Sequence, residues 1–288
     1  MRQHLIVLLA AISVLGLGYG GYFLMFQEAE YRTLTVTSVT GAVTRSNERG
    51  VAVPAGPGDS VEASNVIRVG ATGRALLTAG EGTQLLLEEE TSVRVVAANR
   101  RGVQVELDEG RVKARVQPGS RMLGIRSGGQ LARSDGGGFE VARDADGFVR
   151  VAVEEGAVEV DGPDGTRTLE SGERLDASPD GTSILSSAVL EEILLDVRWT
   201  DADPGEAPVP VEGQTTPFAR VAIEGPEGVS TIHADRDGRF AGEVAVPSGS
   251  HTITVDVSDG LGLEATDSHI VNRPAAVPVA TTEVKFGE

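Results

Sequence analysis

Val103-Gln104-Val105-Glu106-Leu107-Asp108-Glu109-Gly110-Arg111-Val112 and Val149-Arg150-Val151-Ala152-Val153-Glu154-Glu155-Gly156-Ala157-Val158 are one pattern written twice, 46 residues apart. Apolar residues at alternate positions set one side of a strand against a core, because successive side chains of a strand point to opposite faces. Glycine at the same place in both copies allows a positive φ that other residues resist. Each copy therefore reads as strand, corner, strand. The pair predicts successive hairpins, or coils of a β-solenoid-like domain.

The same alternation runs outward from about Leu34 to Ile184, with Leu34 and Val36, Ile67 and Val69, Leu85 and Leu87, Val93 and Val95, and Val112, Ala114 and Val116 on the apolar side. Gly-rich turns separate the strands, so this is an all-β domain, placed at 32–186. Ser187 to Leu195 reads as a junction, with one or two helical turns capped by Ser187 or the lead into a strand. Beyond it come seven candidate strands, at about 193–199, 208–212, 218–224, 229–234, 239–246, 250–257 and 263–271. Their spacing, with turn signals such as Asp235-Arg236-Asp237-Gly238, Pro247-Ser248-Gly249 and Asp259-Gly260, predicts an immunoglobulin-like β-sandwich over 193–272. Trp199, Phe240, Ile253, Val255 and Val257 are its candidate core. Residues 273–288 form a Pro- and Ala-rich tail in which Glu283-Val284-Lys285-Phe286 has the alternation of an edge strand.

Leu5 to Phe26 carries no charge. At ~1.5 Å per residue, a helix of that length spans a hydrocarbon core of ~30 Å. Arg2 precedes it and Glu28 and Glu30 follow, so the positive-inside bias leaves residues 1–4 as a cytoplasmic stub and everything after the anchor outside. The glycines at 16, 18, 20 and 21 raise the rival reading of a cleaved signal peptide, but Tyr22 to Phe26 prolong the apolar run past them. The expected location is the inner (cytoplasmic) membrane, single-pass, with the bulk in the periplasm.

Composition narrows the chemistry. The 288 residues hold no cysteine, which excludes disulfides, thiolate metal sites, cysteine nucleophiles and a lipidated N-terminal cysteine. A formal charge of -18 argues against tracking a nucleic-acid backbone and serves solubility. His233, His251 and His269 are evenly spaced, which invites a three-histidine metal site. Strand parity sets His251 with Ile253 while His233 falls opposite, so no metal site is expected. Glu88-Glu89-Glu90, Asp108-Glu109 and Glu154-Glu155 are candidates for a hard cation or a glycosidase carboxylate pair. Adjacent strand residues face opposite ways, which makes them solvated turn charges. Asp235 to Gly238 opens like a calcium loop, but the position that needs glutamate holds Val246. Arg100-Arg101 reads as a hairpin turn. Phe139 and Phe148 are the only aromatics between Arg32 and Glu192, too few for a sugar-stacking groove, and both are assigned to the core.

The segment 39–176 resembles a FecR-type domain. The likeness lies in Val39-Thr40-Gly41-Ala42-Val43, Gly58-Asp59-Ser60-Val61, Gly82-Thr83-Gln84-Leu85-Leu86-Leu87, Leu107-Asp108-Glu109-Gly110-Arg111-Val112, Phe139-Glu140-Val141, Val153-Glu154-Glu155-Gly156-Ala157-Val158 and Leu169-Glu170-Ser171-Gly172-Glu173. One departure is Gly136-Gly137-Gly138-Phe139, where the family commonly has Gly-Thr-x-Phe. The resemblance implies an exported module that receives a signal and a cytoplasmic domain that controls a sigma factor. Four residues inside the membrane leave no surface for that control. The expectation is thus a non-enzymatic, membrane-anchored binding or scaffold protein of the envelope, with no catalytic residues, no cofactor and an envelope protein as partner. The alternatives are sigma-factor regulation through a separate partner, and a polysaccharide-binding or hydrolytic protein.

Overall fold

The computed structural model describes residues 33–46, 50–180, 182–186, 192–200 and 208–274. The expected anchor at 5–26, the Ser187 cap and nearly all of the tail lie outside the described residues. No helix among the described residues is long and apolar enough to cross a membrane. The chain divides into two compact units, Met1–Val189 and Leu190–Glu288, and the described elements of both are strands.

The first unit holds β1 (Thr33–Thr40), β2 (Val43–Ser46), β3 (Ala52–Pro54), β4 (Ser60–Glu62), β5 (Val66–Val69), β6 (Arg74–Ala79), β7 (Thr83–Leu87), β8 (Ser92–Asn99), β9 (Gly102–Val116), β10 (Met122–Ser127), β11 (Gln130–Ser134), β12 (Gly137–Arg143), β13 (Val149–Gly162), β14 (Gly165–Glu170), β15 (Arg174–Ala177) and β16 (Ser183–Ser186). They pair as two sheets. One runs β4-β1-β6-β7-β9-β12-β13-β15-β16, antiparallel throughout. The other runs β3-β2-β5-β8-β9-β10-β11-β13-β14, antiparallel except for β9 beside β10. The strands common to both lists, β9 and β13, are the two copies of the repeat.

Each copy bends at its glycine, Gly110 at φ +92° and Gly156 at φ +81°. Up to Glu109, β9 pairs with β8 of the second sheet, and from Gly110 on it pairs with β12 of the first. β13 crosses the other way, leaving β12 and β15 of the first sheet for β11 and β14 of the second. The expected solenoid-like stacking thus takes a different form, hairpins in two sheets stitched by two bent strands. Apolar positions of both sheets meet in one core, among them Leu34, Leu77, Leu87, Phe139 and Val151 from the first and Ile67, Val95, Leu107, Ile125 and Leu169 from the second. Each fully buried aliphatic side chain there contributes roughly 1.5–3 kcal/mol.

The second unit holds β17 (Leu195–Trp199), β18 (Val209–Thr215), β19 (Arg220–Gly225), β20 (Gly228–His233), β21 (Arg239–Val244), β22 (Gly249–Ser258) and β23 (Glu264–Arg273), close to the seven expected stretches. The sheets β17-β18-β21 and β20-β19-β22-β23 share a core that includes Val211, Phe240, Val221, Ile253, Val255 and Val257. Trp199 packs against this core without being enclosed by it. It is only partly buried, its ring stacks on His269 with centroids 5.2 Å apart, and its Nε1–H donates to Asp267 at 3.1 Å.

Candidate functional site

The core takes one side of the first sheet, and the other side carries a row of charge. Arg111 and Lys113 alternate with the core residues Val112 and Ala114 on β9, Glu140 sits between Phe139 and Val141 on β12, Arg150 between Val149 and Val151 on β13, and Arg174 and Asp176 flank Leu175 on β15. Cross-strand register lines them up: Lys113 faces Glu140, Arg111 and Arg150 both face Ala142, and Arg150 faces Asp176. The small side chains of Ala142 and Ala152 leave room for the long guanidinium stems beside them.

Two ion-paired groups result. Asp176 accepts from Arg174 Nε at 2.8 Å and Nη2 at 2.7 Å, the two-pronged geometry that suits a guanidinium to a carboxylate. Arg150 Nε lies 3.5 Å from Asp176, and its Nη1 donates to Asp144 at 3.4 Å. Arg150, Arg174 and Asp176 are each no more than 2 % exposed. In the second group, Glu88 lies 3.2 Å from Arg74 Nε and 3.7 Å from Arg111 Nη2, while Glu140 lies 3.5 Å from Arg111 Nε and 3.6 Å from Lys113 Nζ. Glu140 Oε1 and Glu88 Oε2 are buried without an aligned hydrogen bond, so Coulomb attraction alone holds them.

Burial pushes the Glu140 carboxyl up from 4.5 to about 7; Lys113 and Arg111 pull it down, and Glu154 and Glu88 add to the rise. A carboxyl with a raised folded pKa stabilises the fold below its unfolded value, and that contribution is lost as pH climbs through the folded value. Stability of the first unit is therefore expected to fall between pH 4.5 and about 7, by up to roughly 3 kcal/mol. Glu140→Gln removes the slope. Urea unfolding at pH 4.5 and pH 8 checks this: the variant should gain on the native chain at pH 8, and parallel pH profiles would refute it.

Of the acidic runs, Glu89 and Glu90 are exposed as expected, while Glu88 departs from a solvated role at 5 % exposure. Asp108 and Glu106 approach Arg94, and Glu109, Glu154 and Glu155 are largely in solvent. His269 pairs with the core residue Ile253 and His251 with the core residue Val271, whereas His233 pairs with Arg220 on the opposite face. Asp235 Oδ1 accepts the backbone N–H of Asp237 at 2.8 Å and of Arg239 at 2.9 Å, which builds the turn at Gly238. Asn99 Oδ1 does the same for Arg101 and Gly102, closing the Arg100-Arg101 hairpin. Phe139 is core and Phe148 is half-buried.

Two bent strands, a shared core and an ion-paired row on the far side of the first sheet define the first unit as an all-β domain. Residues 65–159 match the family described as FecR protein. That span takes in both crossing glycines, Glu88, Arg111, Lys113, Glu140 and Arg150, but not Arg174 and Asp176. The comparison with curated proteins returned no match. Among solved structures, two crystal structures of a candidate anti-sigma factor from Parabacteroides distasonis are similar at 24% and 23% identity and a TM-score of 0.39. Each alignment covers 42% of this chain and 58% of that one, so it spans well under two thirds of those proteins. The extracellular domain of a candidate one-component system from B. thetaiotaomicron aligns at 8% identity and a TM-score of 0.19, over 85% of this chain and 56% of that one.

Proposed function

We propose that the chain is a non-enzymatic, membrane-anchored binding protein of the bacterial cell envelope that works in transmembrane signalling through its FecR domain. The match at 65–159 carries this reading, since it takes in β9, β12 and most of β13, three of the four strands that bear the charged row. The row suits holding the sheet in one shape better than catalysis: the buried carboxylates of Glu88, Glu140 and Asp176 are each engaged by arginine or lysine. The uncharged run at 5–26 supplies the anchor, and the second unit is an immunoglobulin-like spacer or second contact surface.

Photocrosslinking in intact cells tests it. A photoreactive residue at Arg74 or Arg115, which are exposed, is expected to capture the same envelope protein, while one at Thr166 on β14 captures none. A captured anti-sigma protein would favour sigma-factor control through that partner. Absence of any adduct from both positions would sink the binding role.

A further inference from the structure

We propose that β20, one of the two outer strands of the four-stranded sheet in the second unit, is a docking edge that takes up an extended, lysine- or arginine-bearing segment of a partner protein as an additional strand. The proposal deepens the binding role and rests on it.

β20 pairs with β19 alone among the described strands. The hairpin register Gly225 to Gly228 leaves a two-residue loop, Pro226-Glu227, and in such hairpins the closing pair is hydrogen bonded and every second pair after it. The bond from Ala234 N–H to the Ala219 carbonyl, 3.0 Å, fixes the same parity at the far end. Ser230 and Ile232 therefore spend their backbone groups on β19, while Val229 and Thr231 turn theirs away from it. Gly228 to Thr231 are exposed, and Val229, a large apolar residue, is 61% exposed.

Soluble proteins blunt such edges with charge, proline, bulges or brevity. The other edges here follow that rule. β3 and β4 are three residues long and carry Pro54 and Glu62, β14 has Arg167 and Glu170, β17 has Asp196 and Arg198, β21 has Arg239 and Glu243, β23 has Glu264, Asp267 and Arg273, and β16 has only four residues. β20, Gly-Val-Ser-Thr-Ile-His, has no Lys, Arg, Asp, Glu or Pro, and its register with β19 runs without a bulge.

Charge selects the occupant. If β20 paired antiparallel with a second copy of itself, Thr231 against Thr231, Glu227 of one copy would stand opposite Asp235 of the other, and like charges directly opposed are destabilising. Two copies of a chain of formal charge -18 also repel. A foreign strand with a cationic residue beside Glu227 meets neither obstacle and gains from that carboxylate and from Glu224, which lies opposite Val229 on β19. The added strand contributes main-chain hydrogen bonds, and alternate side chains set its specificity.

The test follows backbone amide exchange in the full chain, with two capped synthetic peptides, Lys-Thr-Val-Thr-Val-Lys and Glu-Thr-Val-Thr-Val-Glu, as probes. In the free chain the amides of Val229 and Thr231 should exchange rapidly while those of Ser230 and Ile232 are slow. The lysine peptide is expected to slow Val229 and Thr231 at least tenfold, and the glutamate peptide to leave them unchanged. Thr231→Pro removes an outward donor but none of the bonds to β19, so it should abolish the effect with Ser230 and Ile232 still slow; Val229→Lys, an added edge charge, should weaken it without touching the backbone. Equal response to both peptides, slow Val229 and Thr231 amides in the free chain, indifference to both variants, or a concentration-dependent dimer lost in Val229→Lys would each overturn the proposal. Failure here leaves the adducts from Arg74 and Arg115 standing, and failure there leaves this result standing.

Discussion

Replacing Asp176 with alanine is expected to lower the unfolding free energy of the first unit by about 3–5 kcal/mol, because it takes a carboxylate away from two buried guanidinium groups. Asp176 holds Arg174 by two bonds and lies 3.5 Å from Arg150, and both arginines are buried. Asp144, 3.4 Å from Arg150 Nη1, stays in place when Asp176 is gone. The pair and its absence are not symmetric: changing Arg174 to methionine together with Asp176 to leucine removes the charge and the need for it, and should recover most of the loss. Trp199 is the only tryptophan and belongs to the second unit, so its fluorescence would report on the wrong body. Urea titration followed by far-ultraviolet circular dichroism sees the strands of both units, and the transition that Trp199 does not report belongs to the first. A cost below 1 kcal/mol for the single change, or a double variant as weak as the single, would show that the arginines do not depend on this carboxylate.

The class of fold was legible because alternation is a local property. Val103, Val105 and Leu107, or Ile253, Val255 and Val257, declare a buried strand face without reference to a partner, and the glycines at 110 and 156 declare a corner. What the repeat could not declare is which sheet lies on which side of the corner. β9 passes from the second sheet to the first and β13 from the first to the second, a choice made by the strands that pair on each side of the corner, such as β7, β14 and β15, and not by the corner itself. The parallel contact of β9 with β10 is hidden for the same reason, since the local signal of Gly119 and Ser120 between them is only that of a turn.

The charged row was harder to see than the core. In a strand with one buried side, a charged residue on the alternate positions reads as solvent-facing, and Arg150 and Arg174 fit that reading residue by residue. A signal was present nonetheless. Arg150 has Ala152 as its next neighbour on that face and Ala142 across from it, small residues where a solvated sheet face would carry longer polar ones. The histidines illustrate the opposite case: parity alone separates His233 from His251 and His269, and that needs no knowledge of the tertiary structure.

Gly137→Ala should be the most damaging glycine substitution in the first unit, costing more than about 3 kcal/mol, and it accounts for the departure Gly136-Gly137-Gly138-Phe139. Gly137 stands at φ +116°, a conformation that L side chains rarely adopt. It is also wedged between β9 and β13, paired with Val116 on one side and Gly156 on the other, beside the bulge at Gly138. A Cβ there would collide with the Glu155 carbonyl oxygen, and it would lie 2.9 Å from that carbonyl carbon and 3.2 Å from Gly156 Cα. These are backbone atoms of a strand bonded on both sides, so they cannot move aside as a side chain would. Gly165 supplies the comparison, since its φ is +109° with nothing near its missing Cβ. Alanine at 165 should cost only the backbone term, roughly 1 kcal/mol. The difference between the two variants, read from urea midpoints by circular dichroism, isolates the steric part; equal losses would mean that β12 can slide away from the crossing point, and the glycine would then serve its own φ and nothing else.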